Sequence, residues 1–379
     1  MNELDALLAA LHRFTSAGRR TALATVVSVS GSAYRRPGAR MLITETGETA
    51  GNVSGGCLEQ DLIKRAQAVI LTERPQLVTY DTRDVAADAT WGVGLGCESE
   101  TLIYVEPFHP DTRHHPLDLL ALAAATGEDA ALAHVFRAAG ELAGWCGFRL
   151  LRIAATPQAE GGLAEEADWL RHLQVELQTC LTERRSRQTT FRSASGSLEA
   201  FIEFLPPPLQ LVIFGAGDDA IPLAQMATQL GWRVTVADWR PALAASERFP
   251  TARQVLTLKT PDELPVKATD CVVVMTHHYP SDKAIVRRLA AIQPRYVGLL
   301  GPRRRTARIL KELAEEGVAV PDQVVADWRF PVGLDLGAET PAEIATAIVA
   351  EILAVTRRRS GMALRDRPTP IHEPIPTSP

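Results

Sequence analysis

The sequence predicts an α/β protein in two parts: an N-terminal mixed α+β domain, then a C-terminal Rossmann-like domain with a doubly wound parallel sheet. Three observations predict it. Apolar runs at 209–214, 233–237, 271–275 and 296–299 alternate with helical segments, as a parallel sheet covered on both faces requires. A glycine triplet, Gly215, Gly217 and Ala220 in G-x-G-x-x-A order, joins the first run to its helix. Pro206-Pro207-Pro208 separates this rhythm from a first half of short strands broken by glycine, and three prolines suit a stiff linker. The expected boundaries are 1–205 for the first domain, 206–360 for the second and 361–379 for a flexible tail. Five prolines stand in the last twelve residues.

Length and composition agree. At 379 residues two domains are expected, and 46% apolar with 22% charged residues is an ordinary globular balance. A net charge of -5 lacks the basic surplus a nucleic-acid binder needs. No run approaches the ~18 apolar residues of a membrane span. The start carries Glu3 and Asp5 rather than a basic stretch, so no secretory signal is expected. Five cysteines without a CxxC pair fit a reducing cytoplasm.

In chain order, residues 1–14 read as an amphipathic helix with Leu4, Leu7, Leu8 and Leu11 on one face. Strands are expected at 21–29 and 40–44, and a third around 49–53 after the turn Glu45-Thr46-Gly47-Glu48. A helix follows from Cys57, with Leu58, Leu62, Ala66 and Val69 at helical spacing; 101–105 is another strand. The stretch from 108 to 196 reads as an irregular continuation of the first domain, with alanine-rich helices and a strand at 146–153. Near the end, Thr340-Pro341-Ala342-Glu343 is a capping box with proline at the first helical position.

The loops carry the chemistry. In the glycine loop, Gly215 permits the tight turn and Gly217 lets backbone approach a phosphate at the helix N-terminus. Asp238 ends the next strand, where an acid commonly accepts from a ribose hydroxyl. Asp218 and Asp219 add negative charge beside the expected phosphate. They stabilise the helix start or mark a ligand other than an ordinary dinucleotide. His277 and His278 follow the third strand, with too few neighbours for zinc; acid–base and structural roles stay open for His277. Arg303-Arg304-Arg305 oppose the dipole of the helix they open, which suits a nearby anion or a solvated basic face.

In the first domain, Arg35 and Arg36 occupy a glycine-bounded turn between strands. Ser54-Gly55-Gly56-Cys57 then brings a cysteine to a helix N-terminus, where the dipole favours the thiolate that binds metal or attacks sulfur. Cys97 is a second glycine-flanked cysteine. Arginine turn, helix-start thiol and nucleotide-type domain together suggest a ligand with a phosphate and a soft-metal or sulfur centre.

The motifs ATVVSVSGSAYRRPGARM, GNVSGGCLEQDL, FGAGDDAIPLA, VADWRP, MTHHYPSD, YVGLLGPRRR and GLDLGAETPAEIA, in this order along nearly the whole chain, resemble the xanthine dehydrogenase accessory protein family (XdhC/CoxI type). The resemblance implies a chaperone rather than a turnover enzyme. Such a chaperone binds and protects molybdenum cofactor (molybdopterin), supports its sulfuration by a cysteine desulfurase and hands it to a xanthine dehydrogenase-type molybdenum hydroxylase. It makes Cys57 the residue facing metal or sulfur. Gly55, Gly56, Arg35, Arg36, Gly215, Gly217, Asp238 and His277 become the remaining cofactor-binding candidates, and a homodimer is expected. Where many relatives read GCGG, this chain has Gly96-Cys97-Glu98-Ser99, so no ligand role passes to Cys97. Two other readings stay open: an NAD-dependent oxidoreductase with Asp238 on the ribose and His277 as acid–base group, and a scaffold that docks desulfurase and hydroxylase.

Overall fold

A computed structural model describes residues 3–31, 33–82, 99–108, 115–154, 167–260, 263, 266–318, 320–369, 371 and 377–378. The chain forms two compact units. One runs from Glu3 to Pro207 and includes the strand residues Thr377 and Ser378; the other runs from Pro208 to Ile371.

The first unit holds two five-stranded sheets. Helix α1 (Glu3–Ser16) leads into β1 (Thr21–Gly31), β2 (Arg40–Thr44), β3 (Thr49–Gly51), α2 (Glu59–Thr72), β4 (Gln76–Asp81) and β5 (Ser99–Phe108). The first sheet has the order β3-β2-β1-β5-β4. The expected irregular stretch is regular instead: α3 (Pro116–Thr126), β6 (Ala130–Gly140), β7 (Arg149–Ile153), α4 (Asp168–Glu183), β8 (Arg187–Arg192) and β9 (Gly196–Leu205). These strands form a second sheet, ordered β15-β8-β9-β6-β7. Its β15 is Thr377–Ser378, which pairs parallel with β8, so this part of the expected flexible tail is held as a sheet edge.

The second half of the unit repeats the first. One 109-residue offset relates 21–44 to 130–153, and eight of those 24 positions are identical, Gly38/Gly147 and Arg40/Arg149 among them. The registers match too. The β1–β5 ladder slips between Val26 and Ser28, and the β6–β9 ladder slips at the equivalent place, between Val135 and Arg137. Val26 and Val135 each bond the hairpin glycine two residues before the shared arginine: Gly38 N–H donates to Val26 O and Gly147 N–H to Val135 O, both at 2.8 Å. The alternation of β1 explains the layers. Ala22, Ala24 and Val26 face Leu62, Ala66 and Val69 of α2, while Leu23 faces Leu7, Leu11 and Phe14 of α1. In the repeat Ala131, Ala133 and Val135 face Leu170, Leu173 and Leu177 of α4, and Leu132 joins the α1 cluster.

Where the halves meet, Val27 and Phe136, the residues bypassed by the two bulges, pack with Tyr104 and Phe201. Beside them the shared arginines cross over. Arg40 of the first half pairs with Glu203 of the second at 2.5 Å, and Arg149 of the second with Glu106 of the first. Both pairs are almost fully buried, where a lone charge would be costly. Burial pushes the Glu106 carboxyl above its ordinary range against the pull of Arg149. Two buried histidines lie close by. Arg149 Nη2 donates to His134 Nε2 at 3.3 Å, and His115 Nδ1 caps α3 by accepting from Leu117 N–H at 3.3 Å.

The second unit is the expected doubly wound domain. Its strands β10 (Gln210–Phe214), β11 (Arg233–Asp238), β12 (Gln254–Thr257), β13 (Cys271–Val274) and β14 (Tyr296–Leu299) form a parallel sheet ordered β12-β11-β10-β13-β14. Helices α5 (Ala220–Gln229) and α9 (Pro341–Thr356) cover one face through Leu223, Ala227, Ile348 and Ile352. The opposite face carries α6 (Tyr279–Ile292) and α7 (Arg303–Glu315), through Ile285, Leu289, Ile309 and Leu313; the short α8 is Asp322–Asp327. With both faces buried the strands have no polar side, hence their continuous apolar runs. The capping box of α9 forms as its sequence demands: Glu343 N–H donates to Thr340 Oγ1, and Glu343 Oε2 accepts from Thr340 N–H at 2.9 Å. The strand order reverses between β10 and β13, so the loops after those two strands flank the crevice of the sheet.

Candidate functional site

In the first unit two loops singled out above come together. Tyr34, 72% exposed at the β1–β2 turn, lays its ring within 3.6–3.9 Å of the point a side chain on Gly55 would occupy. Arg35 of the same turn is paired with Glu3 of α1. The Arg36 guanidinium is lowered below its ordinary value by burial and by the neighbouring charge of Arg185. Two guanidinium groups held near one another favour an anion between or beside them.

The loop 54–57 is tied down by two residues that sequence reasoning passed over, Ser54 and Glu59. Glu59 Oε1 accepts from Ser54 N–H at 2.9 Å, and Ser54 Oγ donates to the same carboxylate. Ser54 Oγ then accepts from Gly56 N–H and Leu58 N–H, each at 3.2 Å, and from the Cys57 thiol at 3.5 Å. The donors at the start of α2 therefore go to the hydroxyl and the carboxylate. Helix α2 begins at Glu59 rather than at Cys57, which places the half-buried thiol just before the first turn. The signal was the spacing S-x-x-x-x-E, a side chain reaching back to orphan N–H groups. Among the described residues no three His, Cys, Asp or Glu groups cluster as a metal site would need. Cys97 lies outside the described residues.

In the second unit Gly215 has φ 113°, and a Cβ there would sit 2.3 Å from Met275 O. Only glycine fits, and the loop after β10 thereby lies directly on the end of β13. Asp238 is fully buried. Its Oδ1 accepts from Arg240 N–H and Nε–H, both at 2.9 Å; its Oδ2 accepts from Ala216 N–H at 2.8 Å and Arg240 Nη2 at 2.7 Å. Burial raises the carboxyl, but these bonds outweigh it and hold the group below its ordinary value. Four bonds fill four acceptor positions, leaving none for the ribose hydroxyl expected there. Arg240 thus holds the carboxylate that the oxidoreductase reading assigns to the ribose. The sequence signal was Arg240, two residues beyond the acid.

His277 adopts φ 57°, uncommon for a side chain with a Cβ, and its Nε2 donates to Asp219 Oδ2 at 2.7 Å. Asp218 points outward and pairs with Arg248 at 2.5 Å, while Arg248 Nη1 also binds Leu243 O at 2.9 Å. His278 bonds Ser281 at 2.7 Å. Of the three arginines opening α7, Arg305 pairs with Asp282 at 2.5 Å, and Arg303 and Arg304 are exposed.

Residues 211–352 match the XdhC Rossmann domain, and residues 14–81 match the XdhC and CoxI family. A probable xanthine dehydrogenase subunit of Bacillus subtilis is 33% identical over 339 residues, 89% of this chain and 93% of that protein. The chain belongs to the XdhC and CoxI family. A more distant relative, a molybdenum cofactor insertion chaperone of Escherichia coli, is 22% identical over 89% of this chain and 84% of its own. The crystal structure of a xanthine dehydrogenase from Bacillus halodurans superposes with a TM-score of 0.73 at 28% identity, over 97% of this chain and 98% of the other. The two family matches fall on the two loop systems just described: 14–81 spans the arginine turn and Cys57, and 211–352 spans the glycine loop, Asp238 and His277. As an XdhC and CoxI chain it also has, among the described residues, no helix long and apolar enough to cross a membrane.

Proposed function

We propose that this chain is an accessory protein for a xanthine dehydrogenase-type molybdenum hydroxylase. It binds molybdenum cofactor, protects it, supports its sulfuration by a cysteine desulfurase and delivers it to the apo-hydroxylase. The observation that carries the reading is the meeting of the two first-unit loops, with Tyr34 of the arginine turn over Gly55, two residues from the Cys57 thiol. Family membership and the names of the relatives support it. So does the donor set. Among the described residues no three His, Cys, Asp or Glu groups gather around the thiol, which suits a metal that arrives already chelated, as a pterin-bound molybdenum does.

In this reading Cys57 supplies one soft sulfur to the metal end or receives the sulfur for it. Gly55 and Gly56 let the ligand approach the backbone, and Arg36, with Arg35, faces its phosphate. Gly215, Gly217, Asp238 and His277 belong to the second unit's own crevice, with Asp238 fixing the loop rather than touching ligand. We place the protein in the cytoplasm, where Cys57 stays reduced, as a homodimer.

The test is cofactor retention. The purified protein is incubated with molybdenum cofactor and desalted, and bound molybdenum and pterin are counted per chain. Near-stoichiometric retention that falls at least tenfold in Cys57→Ala is expected. Tight NADH binding with no cofactor retained sinks the reading.

A further inference from the structure

We propose that Asp219 decides which anions the glycine loop admits: its carboxylate, clamped by His277, occupies the seat that Gly217 leaves open, so a phosphate enters only by displacing it. This goes beyond the reading above. It concerns the second unit and holds whether or not Cys57 meets a metal.

In a phosphate-binding glycine loop the second glycine has no side chain so that the anion can lie against the backbone. Here that space has an occupant. Asp219 Oδ1 lies 2.5 Å from the point where a Cβ on Gly217 would sit, and beyond the glycine and its two chain neighbours Asp219 supplies, among the described residues, the only atoms within 4 Å of that point. The carboxylate is not capping the helix it precedes, since Asp219 makes no side-chain bond to α5. It is held across the crevice instead, by His277 Nε2 at 2.7 Å, from a residue kept at φ 57°. The side chains of the two adjacent acids behave oppositely: Asp218 is 94% exposed on Arg248, and Asp219 is 19% exposed. The electrostatics point the same way. A phosphate in the seat would meet a like charge at contact distance, a repulsion that survives even in water. With Asp238 closed by Arg240, the crevice offers a dinucleotide neither of its usual anchors.

The experiment measures binding of inorganic pyrophosphate and of ADP to the full chain by titration calorimetry. Asp219→Asn keeps the shape and still accepts from His277 but removes the charge; Asp219→Ala empties the seat. Both variants are expected to bind pyrophosphate and ADP about tenfold more tightly than the native chain, an advantage that shrinks with added salt. Asp218→Asn removes an equal charge one residue away and is expected to change binding less than about twofold. Native binding as tight as that of Asp219→Asn overturns the proposal, and so does an equal gain in Asp218→Asn, which would reduce the effect to net charge. Hydrogen exchange across β10 and β13 reports that each variant is folded, and the near-isosteric Asn variant decides the matter if the Ala variant is not. Failure here leaves cofactor retention at Cys57 untouched, and the converse also holds.

Discussion

Acid should unfold the first unit, and two buried histidines set the scale. His134 lies on the interior strand β6, 4% exposed, with Arg149 Nη2 at 3.3 Å and the Tyr104 ring edge-on at 4.9 Å. Burial, then the charges of Arg149 and Arg40, push its imidazole well below the ordinary 6.5. His115 is 2% exposed, packed edge-on against Phe108 at 4.3 Å, and burial followed by Arg149 lowers it to about 3. Both are neutral when folded. The unfolded chain takes up their protons near the ordinary value, so their contribution is complete above about pH 6.5 and is lost as pH falls toward the folded values. At about 1.4 kcal/mol per unit, His115 removes about 2 kcal/mol between pH 7 and pH 5, and His134 acts in the same direction. Glu106 works in the opposite sense, because its raised carboxyl gains from protonation, so the histidines must be isolated by difference. His134→Thr installs the residue that Thr25 supplies in the first half, and His115→Asn keeps a capping acceptor for α3. Urea unfolding of the full chain, followed by hydrogen exchange at β6, should show His115→Asn losing about 2 kcal/mol less than the native chain over that interval, and His134→Thr also losing less than the native chain. Parallel pH profiles for native and variant proteins would refute the argument.

The crossed ion pairs predict a second effect. Glu106→Gln leaves Arg149 buried without its counter-charge and should cost about 3–5 kcal/mol, read as a drop of about 6–20 °C in the melting of the first unit; a shift below about 2 °C would mean the pair is not desolvated. Glycine gives the third. A Cβ on Gly196 would lie 2.3 Å from Ala139 O, whereas one on Gly127, at φ 73°, meets nothing within 4 Å. Gly196→Ala should therefore cost more than about 2 kcal/mol through displaced backbone, and Gly127→Ala only the ~1 kcal/mol of left-handed strain; comparable losses in urea titrations would undo the distinction.

The second unit was readable because its physics is local. Strands buried on both faces must be apolar throughout, as 271–275 is, and the glycine loop and the capping box at Thr340 announce themselves by spacing. The second sheet was not readable. Residues 117–135 are rich in leucine and alanine and carry no period-two signal, yet α3 stops at its Gly127 C-cap and β6 begins at Ala130 because β9 pairs with it over its whole length. That pairing is long-range, and it overrides local propensity. The same divide runs through the candidate sites. Cys57, Gly55 and the arginine turn were visible as motifs, but the contact of Asp219 with His277, 58 residues away, follows from strand order and from no spacing. The pairing of Asp238 has a nearer signal: its own strand end carries Arg240, which reaches back and fills it.

The internal repeat also shows how one frame carries two different turns. Both hairpins keep the glycine and arginine that the bulge and the crossed pairs need, Gly38 and Arg40 in one, Gly147 and Arg149 in the other. Between those fixed points they differ. The first turn exposes Tyr34 and holds Arg35 and Arg36; its equivalent reads Ala143-Gly144-Trp145. There Trp145 packs against Phe148 and Trp169, with ring centroids 5.5 and 4.7 Å away, so the second turn is spent on the apolar core over α4. Conserving the residues that close the fold while changing those at the tip is what divides the labour. The second turn supplies packing, and that leaves the first free to expose Tyr34 and carry two arginines next to the Gly55 loop.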